Sequence, residues 1–229
     1  MEINRYLDAA VLKPEFTREE AIKAIKECIV FNTKTVCVRP CDIDLAVEMC
    51  KGTQTEVSCV LAFPHGTSPK EVKAFEAKLY IQKGVHEIDM VVNYGFIKSG
   101  KWDWVEEDIK AVAHVTKKAG VALKTIFETA YLTTAEIEKA TEIAITSGAD
   151  FVKTSTGFGD GGATKEAVAA MLKASKGKVK VKPSGGIRNF ETAKMYIDMG
   201  AERLGSNYAA NAVIIKGKEE VKGKEGDVY

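Results

Sequence analysis

Short apolar, β-branched runs alternate along this chain with longer stretches whose apolar positions recur every three or four residues. The first kind falls at 9–12, 34–38, 56–63, 86–92, 121–127, 150–153, 178–182 and 203–205, and each run predicts a strand. The second kind falls at 18–31, 69–83, 104–119, 134–147, 165–174 and 190–199, and each predicts an amphipathic helix. In the 104–119 stretch, Val105, Ile109, Val112 and Val115 form one apolar stripe. Gly84, Gly120, Gly148 and Gly200 each follow a helical stretch, where a left-handed stop residue is wanted. Lys117 and Lys118 add cations where a helix C-terminus favours them.

Eight strands separated by helices predict a parallel sheet, because parallel neighbours need a helical crossover. Eight such units close into a (β/α)₈ TIM barrel, an α/β fold, whereas an open doubly wound sheet has fewer strands. No GxGxxG follows the first strand, which weakens a dinucleotide-binding alternative. No linker-like segment interrupts the pattern, so residues 1–215 are expected to be one barrel. Residues 216–229 are polar and punctuated by glycine, and predict a flexible tail ending in Tyr229.

Composition narrows the function. Apolar residues make up 45% of the 229, enough for a sizeable core, and the formal net charge is only +1. The basic residues are spread out, which argues against a nucleic-acid or membrane-surface partner. No charged-then-apolar leader and no long apolar span is present, so a cytoplasmic protein is expected. The five cysteines (Cys28, Cys37, Cys41, Cys50, Cys59) cannot all pair, and they lack the spacing and nearby histidines of a zinc site. Reduced, largely buried thiols are the better account, with no metal expected.

In a barrel of this type, chemistry gathers at the C-terminal ends of the strands. Strand alternation turns Phe151 and Lys153 inward on the sixth strand and Lys182 inward on the seventh. One strand-end lysine would ordinarily snorkel to the rim and find a carboxylate. Two on adjacent strands are costly to hold together, and that cost has a use. A neighbouring cation and partial desolvation favour a free amine able to attack a carbonyl. Asp89 turns inward on the fourth strand, where it is either an ion-pair partner or a proton relay. Lys124 has the same inward parity on the fifth strand and either extends the network or serves structure alone.

Anion-binding features follow the later strands. Residues 154–164, with Thr156 and Gly157, are rich in glycine and hydroxyls and open a helix. Gly185 and Gly186 follow the seventh strand, and Ser206 and Asn207 follow the eighth. Backbone N–H groups and helix N-termini in such loops suit a phosphate, commonly after strands seven and eight. Tight turns also want glycine, so each loop alone is weak evidence. The pattern GxxxxGK[ST] is absent, which excludes an NTPase loop.

Three segments resemble signature stretches of the deoxyribose-phosphate aldolases: 87–93 around Asp89, 151–159 around Lys153, and 181–188 around Lys182. Leu12-Lys13-Pro14-Glu15, Val36-Cys37-Val38, Phe63-Pro64-His65-Gly66 and 99–108 look like the family too, so the likeness runs from about residue 7 to about 215. The resemblance implies a class I aldolase that reversibly cleaves 2-deoxy-D-ribose 5-phosphate to acetaldehyde and D-glyceraldehyde 3-phosphate, without metal or cofactor. It implies that Lys153 forms the imine, that Lys182 lowers the pKa of Lys153, and that Asp89 relays protons through water. Tyr229 resembles a terminal tyrosine whose mobile tail reaches the site in some members; a disordered tail is the alternative. A homodimer acting on small-molecule substrates is plausible.

Several positions depart from the family pattern. Many members have Asp-His-Thr where this chain has Asp8-Ala9-Ala10, which removes two polar groups expected at the rim. Arg39, Pro183 and the Asn207-Tyr208 pair are also unusual. These changes point to altered substrate contacts and phosphate affinity. Two competing readings follow: a Schiff-base barrel aldolase with another aldehyde or sugar-phosphate substrate, or a phosphate-binding relative with little activity. A metal-dependent aldolase ranks behind both, because His65, His86 and His114 do not converge on one strand end.

Overall fold

The structure, a computed structural model, describes residues 2–217. Eight parallel strands run β1 (Leu7–Val11), β2 (Thr35–Val38), β3 (Glu56–Leu61), β4 (Glu87–Val91), β5 (Ala122–Ile126), β6 (Phe151–Lys153), β7 (Lys180–Lys182) and β8 (Leu204–Asn207). Their order round the sheet is β7-β6-β5-β4-β3-β2-β1-β8. Between β7 and β8 the ring closes through fewer bonds: Glu202 N–H donates to Val181 O (3.1 Å) and Gly205 N–H to Pro183 O (2.8 Å). A single bridge, Ser184 with Gly205, completes it. The expected (β/α)₈ barrel is the fold observed, nearly closed and with every neighbouring strand parallel.

The outer layer is α1 (Arg18–Val30), α2 (Ile43–Cys50), α3 (Lys70–Gln82), α4 (Tyr94–Lys98), α5 (Trp102–Ala119), α6 (Thr134–Ser147), α7 (Lys165–Ser175), α8 (Phe190–Asp198) and α9 (Asn211–Lys216). Local chemistry explains their ends. Thr17 with Glu20, and Thr133 with Glu136, form reciprocal capping boxes that satisfy orphan N–H groups at the starts of α1 and α6. Gly120 and Gly148 take left-handed φ values of 68° and 91° at the ends of α5 and α6. Helix α2 was not evident in the chain: it spans eight residues and buries Ile43, Ala46 and Cys50. Helices α4 and α9 have five and six residues, too short for a period to show.

The main core lies between strands and helices, where Leu7, Ala9, Val11, Met90, Val152 and Val181 meet the stripe of α5 and its equivalents. A separate small cluster of Ala10, Leu12, Cys37 and Val60, with Phe63 packed on it, stands apart from that core. Four of the five cysteines are buried, Cys41 is exposed, and all five thiols are free. Among the described residues no helix is long and apolar enough to cross a membrane. Tyr229 and the tail from 218 onward lie outside the described residues.

Candidate active site

The inward residues of β1, β4, β5, β6, β7 and the residue just before β8 meet in one buried ionic cluster. Asp89 is its centre. Its Oδ2 accepts from Lys153 Nζ at 2.8 Å and from Lys182 Nζ at 2.7 Å, while its Oδ1 accepts from Lys124 Nζ at 2.7 Å. Register explains the meeting: Asp89 pairs with Lys124 across β4 and β5, and Lys153 pairs with Lys182 across β6 and β7. Adjacent strands stand ~4.8 Å apart, so side chains of like parity share the interior.

Three further groups complete the cluster. Lys182 also donates to Asp8 Oδ2 at 2.5 Å. Lys124 lies 3.2 Å from Asp8 Oδ2 and 2.6 Å from Glu87 Oε2. Arg203 donates to Asp8 Oδ1 (2.6 Å) and grips both oxygens of Glu87 (2.6 and 3.0 Å). Sequence reasoning singled out none of Glu87, Arg203 or Asp8 as a site residue. Glu87 shares the parity of Asp89, which was the available signal. Arg203 and Asp8 lie 195 residues apart and are joined only by barrel closure.

Four cations, Lys124, Lys153, Lys182 and Arg203, thus face three carboxylates, Asp8, Glu87 and Asp89. Glu128 is a further carboxylate whose field reaches Lys153, and crowding cations in a buried site favours loss of a lysine proton. The local fields act differently on the lysines. Burial would lower the Lys124 pKa, but Asp8, Asp89 and Glu87 outweigh it and hold the ammonium well above its ordinary value. Lys182 goes the other way: burial lowers its pKa, Asp8 and Asp89 oppose, and Lys153 and Lys124 reinforce the fall. Burial pushes the Asp89 carboxyl up, yet Lys124, Lys153 and Lys182 overcome it and keep Asp89 well below the usual carboxylate range. Among the described residues no group of His, Cys, Asp or Glu is arranged to hold a metal ion.

The loops after β6 and β7 form the next layer. Thr154 Oγ1 donates to Ser184 O and accepts from Ser184 N–H, both at 3.0 Å, and so ties the two loops together. Farther out, Ala163 N–H donates to Gly185 O at 3.1 Å. A Cβ on Gly162 would sit 2.5 Å from Gly185 O, so only glycine permits this approach. Gly157, Gly185 and Gly186 take φ values of 84°, 86° and 81°.

Thr156 is bound to a residue that sequence reasoning missed, Glu128. Its N–H donates to both Glu128 carboxyl oxygens at 3.2 Å, and its hydroxyl donates to Oε2. Glu128 follows β5 in a left-handed conformation (φ 55°), which is uncommon for a residue with a side chain. Burial pushes its carboxyl up, with Thr156 and Lys153 opposing. Ser206 Oγ lies 3.3 Å from Asn211 Oδ1, and Asn207 Oδ1 caps the turn that follows by accepting from Ala209 N–H at 2.9 Å. The Ser155 hydroxyl is buried and has no hydrogen-bond partner among the described residues.

The unusual positions have distinct fates. Ala9 belongs to the main core, so only Ala10 stands on the interior side where a polar group would meet substrate. Arg39 is tied down: Nε donates to Asp42 at 2.7 Å, and Nη1 donates to the carbonyls of Lys13, Pro14 and Phe16 at 3.0 to 3.1 Å. Tyr208 packs edge-on against Phe16, ring centroids 6.0 Å apart.

The chain has known relatives. A family model described as DeoC/LacD family aldolase matches residues 5–207. A protein of Streptococcus sanguinis (strain SK36) named deoxyribose-phosphate aldolase is 45% identical over 219 residues, covering 96% of this chain and 98% of its own length. Among solved structures, the aldolase QR15 superposes with a TM-score of 0.88 at 38% identity, over 94% of this chain and 95% of its own. The tetrameric deoxyribose phosphate aldolase from Aeropyrum pernix shares the fold, with a TM-score of 0.85 at 24% identity over 93% of this chain and 89% of its own.

Proposed function

Because the chain belongs to the DeoC/LacD family of aldolases, we propose that it cleaves 2-deoxy-D-ribose 5-phosphate reversibly to acetaldehyde and D-glyceraldehyde 3-phosphate through an imine on Lys153. The observation that carries this reading is the sharing of one Asp89 oxygen by Lys153 and Lys182 inside a buried ionic cluster. An amine kept short of a proton is the nucleophile that imine formation needs.

The cluster supports the following steps. Neutral Lys153 adds to the C1 aldehyde of the open-chain sugar, and loss of water gives a protonated imine. Asp89 takes the C3 hydroxyl proton through water, and the C2–C3 pair collapses toward the imine nitrogen. D-Glyceraldehyde 3-phosphate leaves, C2 of the enamine is protonated, and water releases acetaldehyde. Lys182 stands on the same Asp89 oxygen as the second amine of the site, while Lys124 and Arg203 hold Asp8, Glu87 and Asp89 ionised and in place.

The phosphate is assigned to the rim of β6–β8, where the N–H groups of Gly157, Gly185 and Gly186 stand in left-handed turns. Ser206 and Asn207 border it, and the orphan Ser155 hydroxyl supports a polar ligand nearby. Thr156 serves this site by shaping the loop through Glu128. A homodimer completes the reading: Val72, Phe75 and Leu79 form an exposed apolar stripe on α3, with Phe75 67% exposed. The five free thiols suit a reducing cytoplasm.

Borohydride trapping with 2-deoxyribose 5-phosphate, followed by peptide mass spectrometry, tests the proposal. A reduced adduct on Lys153 is expected. An adduct on Lys182 alone, or none where a known family member is trapped, would overturn it.

A further inference from the structure

Past Asp89 the fourth strand outruns its neighbour. The pairing of β3 with β4 stops at Leu61 with Met90, and Ala62 leaves β3 in a left-handed turn (φ 50°). Helix α3 takes over from the missing ladder. Glu76 Oε2 accepts from Ala62 N–H at 3.2 Å, and Lys73 Nζ, one turn earlier, donates to Val91 O at 2.9 Å. Lys73 also donates to Asp108 Oδ2 on α5 at 2.6 Å, and the same oxygen accepts from Asn93 N–H at 3.1 Å. Two helices thus hold the backbone on either side of Val92. The loop after β3 presses on the same stretch: a Cβ on Gly66 would lie 2.4 Å from Val92 O.

Stability alone does not call for an ion pair here. Lys73 is 0% and Asp108 2% exposed, and well-packed apolar residues of similar volume often stabilise a fold as well as a buried ion pair. What apolar residues cannot supply is a donor for Val91 O and an acceptor for Asn93 N–H, each aimed by a helix. Burial lowers the pKa of Lys73 and raises that of Asp108, and each group opposes the shift in the other.

Asp89 lies two residues before Val91, about 6.6 Å along the strand. It meets Lys124, Lys153 and Lys182 at 2.7 to 2.8 Å, contacts that a slide of about 1 Å would break. We propose that Lys73 and Asp108 are positioning residues for the aldolase reaction, fixing β4 along the barrel axis so that Asp89 reaches Lys153 and Lys182. The inference rests on the imine reading. The pair touches no substrate and acts only through the backbone of β4.

Lys73→Met combined with Asp108→Asn tests this. Both charges and the tether on Val91 O are lost, while the asparagine still accepts from Asn93 N–H. Circular dichroism and urea melts establish folding. The kcat on 2-deoxyribose 5-phosphate should fall about tenfold or more, since small misplacements near the chemistry are costly. KM should stay within about twofold, because the phosphate rim of β6–β8 is untouched. The acid limb of the kcat profile should move to lower pH. Asp89 favours the protonated form of Lys182, and a carboxylate that slides away favours it less. The other groups about the lysines are Asp8, Cys37, Glu87, Lys124, Glu128 and Arg203, all unchanged in the variant. A folded variant in which kcat holds, or falls with the profile unmoved, would overturn the proposal. Asp108→Asn alone keeps both hydrogen bonds with an uncharged, weaker acceptor, and should lower kcat about threefold with the same direction of pH shift. If the double variant does not fold, unchanged kcat and profile in this one overturn the proposal. Borohydride trapping of the unsubstituted enzyme runs alongside. No adduct on Lys153 would bring down the imine reading, whereas an adduct beside unaltered variants overturns the positioning role alone.

Discussion

Strands β1–β3 present Ala10, Leu12, Cys37 and Val60 to the barrel mouth, whereas β6–β8 present two lysines and loops of hydroxyls and glycines. Both walls border Asp89. The apolar wall is held by side-chain packing and the polar one by backbone turns. Changes at the centre should therefore cost turnover, and changes at the polar wall should cost binding of the phosphorylated sugar.

The largest expected effect comes from Asp89→Asn. It removes one of three carboxylates facing four cations and leaves Lys124, Lys153 and Lys182 without their shared partner. Stripping one side of a buried ionic group costs about 3 kcal/mol or more of stability. Loss of the relay costs on the order of 10² to 10⁴ in kcat. Urea melts and kinetics on 2-deoxyribose 5-phosphate should show both losses. Retained cleavage would break the idea of a centre built on Asp89.

Acid should act on the same cluster. The folded protein holds Asp8, Glu87 and Asp89 below their ordinary pKa values because nearby lysines and Arg203 outweigh burial. Their contribution is fully present above the unfolded carboxylate values of about 4 and is lost as pH falls through the lower folded values. Glu128 has the opposite sign. Burial raises its pKa, so its contribution is present below about 4.3 and lost as pH rises through the folded value. Urea midpoints recorded from pH 3 to 8 should fall steeply at the acid end. In Glu128→Gln the slope on the alkaline side of the unfolded glutamate value should flatten; an unchanged slope would remove Glu128 from the account.

Gly185→Ala addresses the polar wall alone. The new Cβ would lie 2.9 Å from the Gly162 Cα and would occupy a φ of 86° that disfavours side chains. A strain of about 1 to 3 kcal/mol is expected, with KM for the phosphorylated sugar rising about tenfold. Melts and kinetics on 2-deoxyribose 5-phosphate check both, and an unchanged KM would take Gly185 out of the phosphate site.

How much of this was legible in the chain depends on where each contact comes from. Inward parity placed Asp89, Lys124, Lys153 and Lys182 correctly because strand alternation is local. The same rule covers Glu87, but a glutamate two residues from Asp89 reads equally well as a solvated strand start. The Arg203 contacts depend on closure of β8 against β1, a property of the whole ring. Alternation also separates Ala9 from Ala10, a distinction lost when the pair was read as one rim feature. The left-handed Glu128 carries no glycine or asparagine to announce its turn. Its link to Thr156 crosses 28 residues, so no local pattern could report it.

The smallest effect sharpens the comparison most finely. Thr164 caps α7 by accepting from Ala167 N–H at 3.1 Å, one residue beyond the Ala163 contact with Gly185. Thr164→Ala should cost about 1 kcal/mol as a lost N-cap, a melting shift of about 2–4 °C for a chain of this size. The helix start and the polar wall are one continuous segment, so KM for the phosphorylated sugar should also rise, by less than about threefold. Melts and kinetics on 2-deoxyribose 5-phosphate measure the two effects together. A cap mutation that lowered the melting point and left KM untouched would separate the helix start from the polar wall.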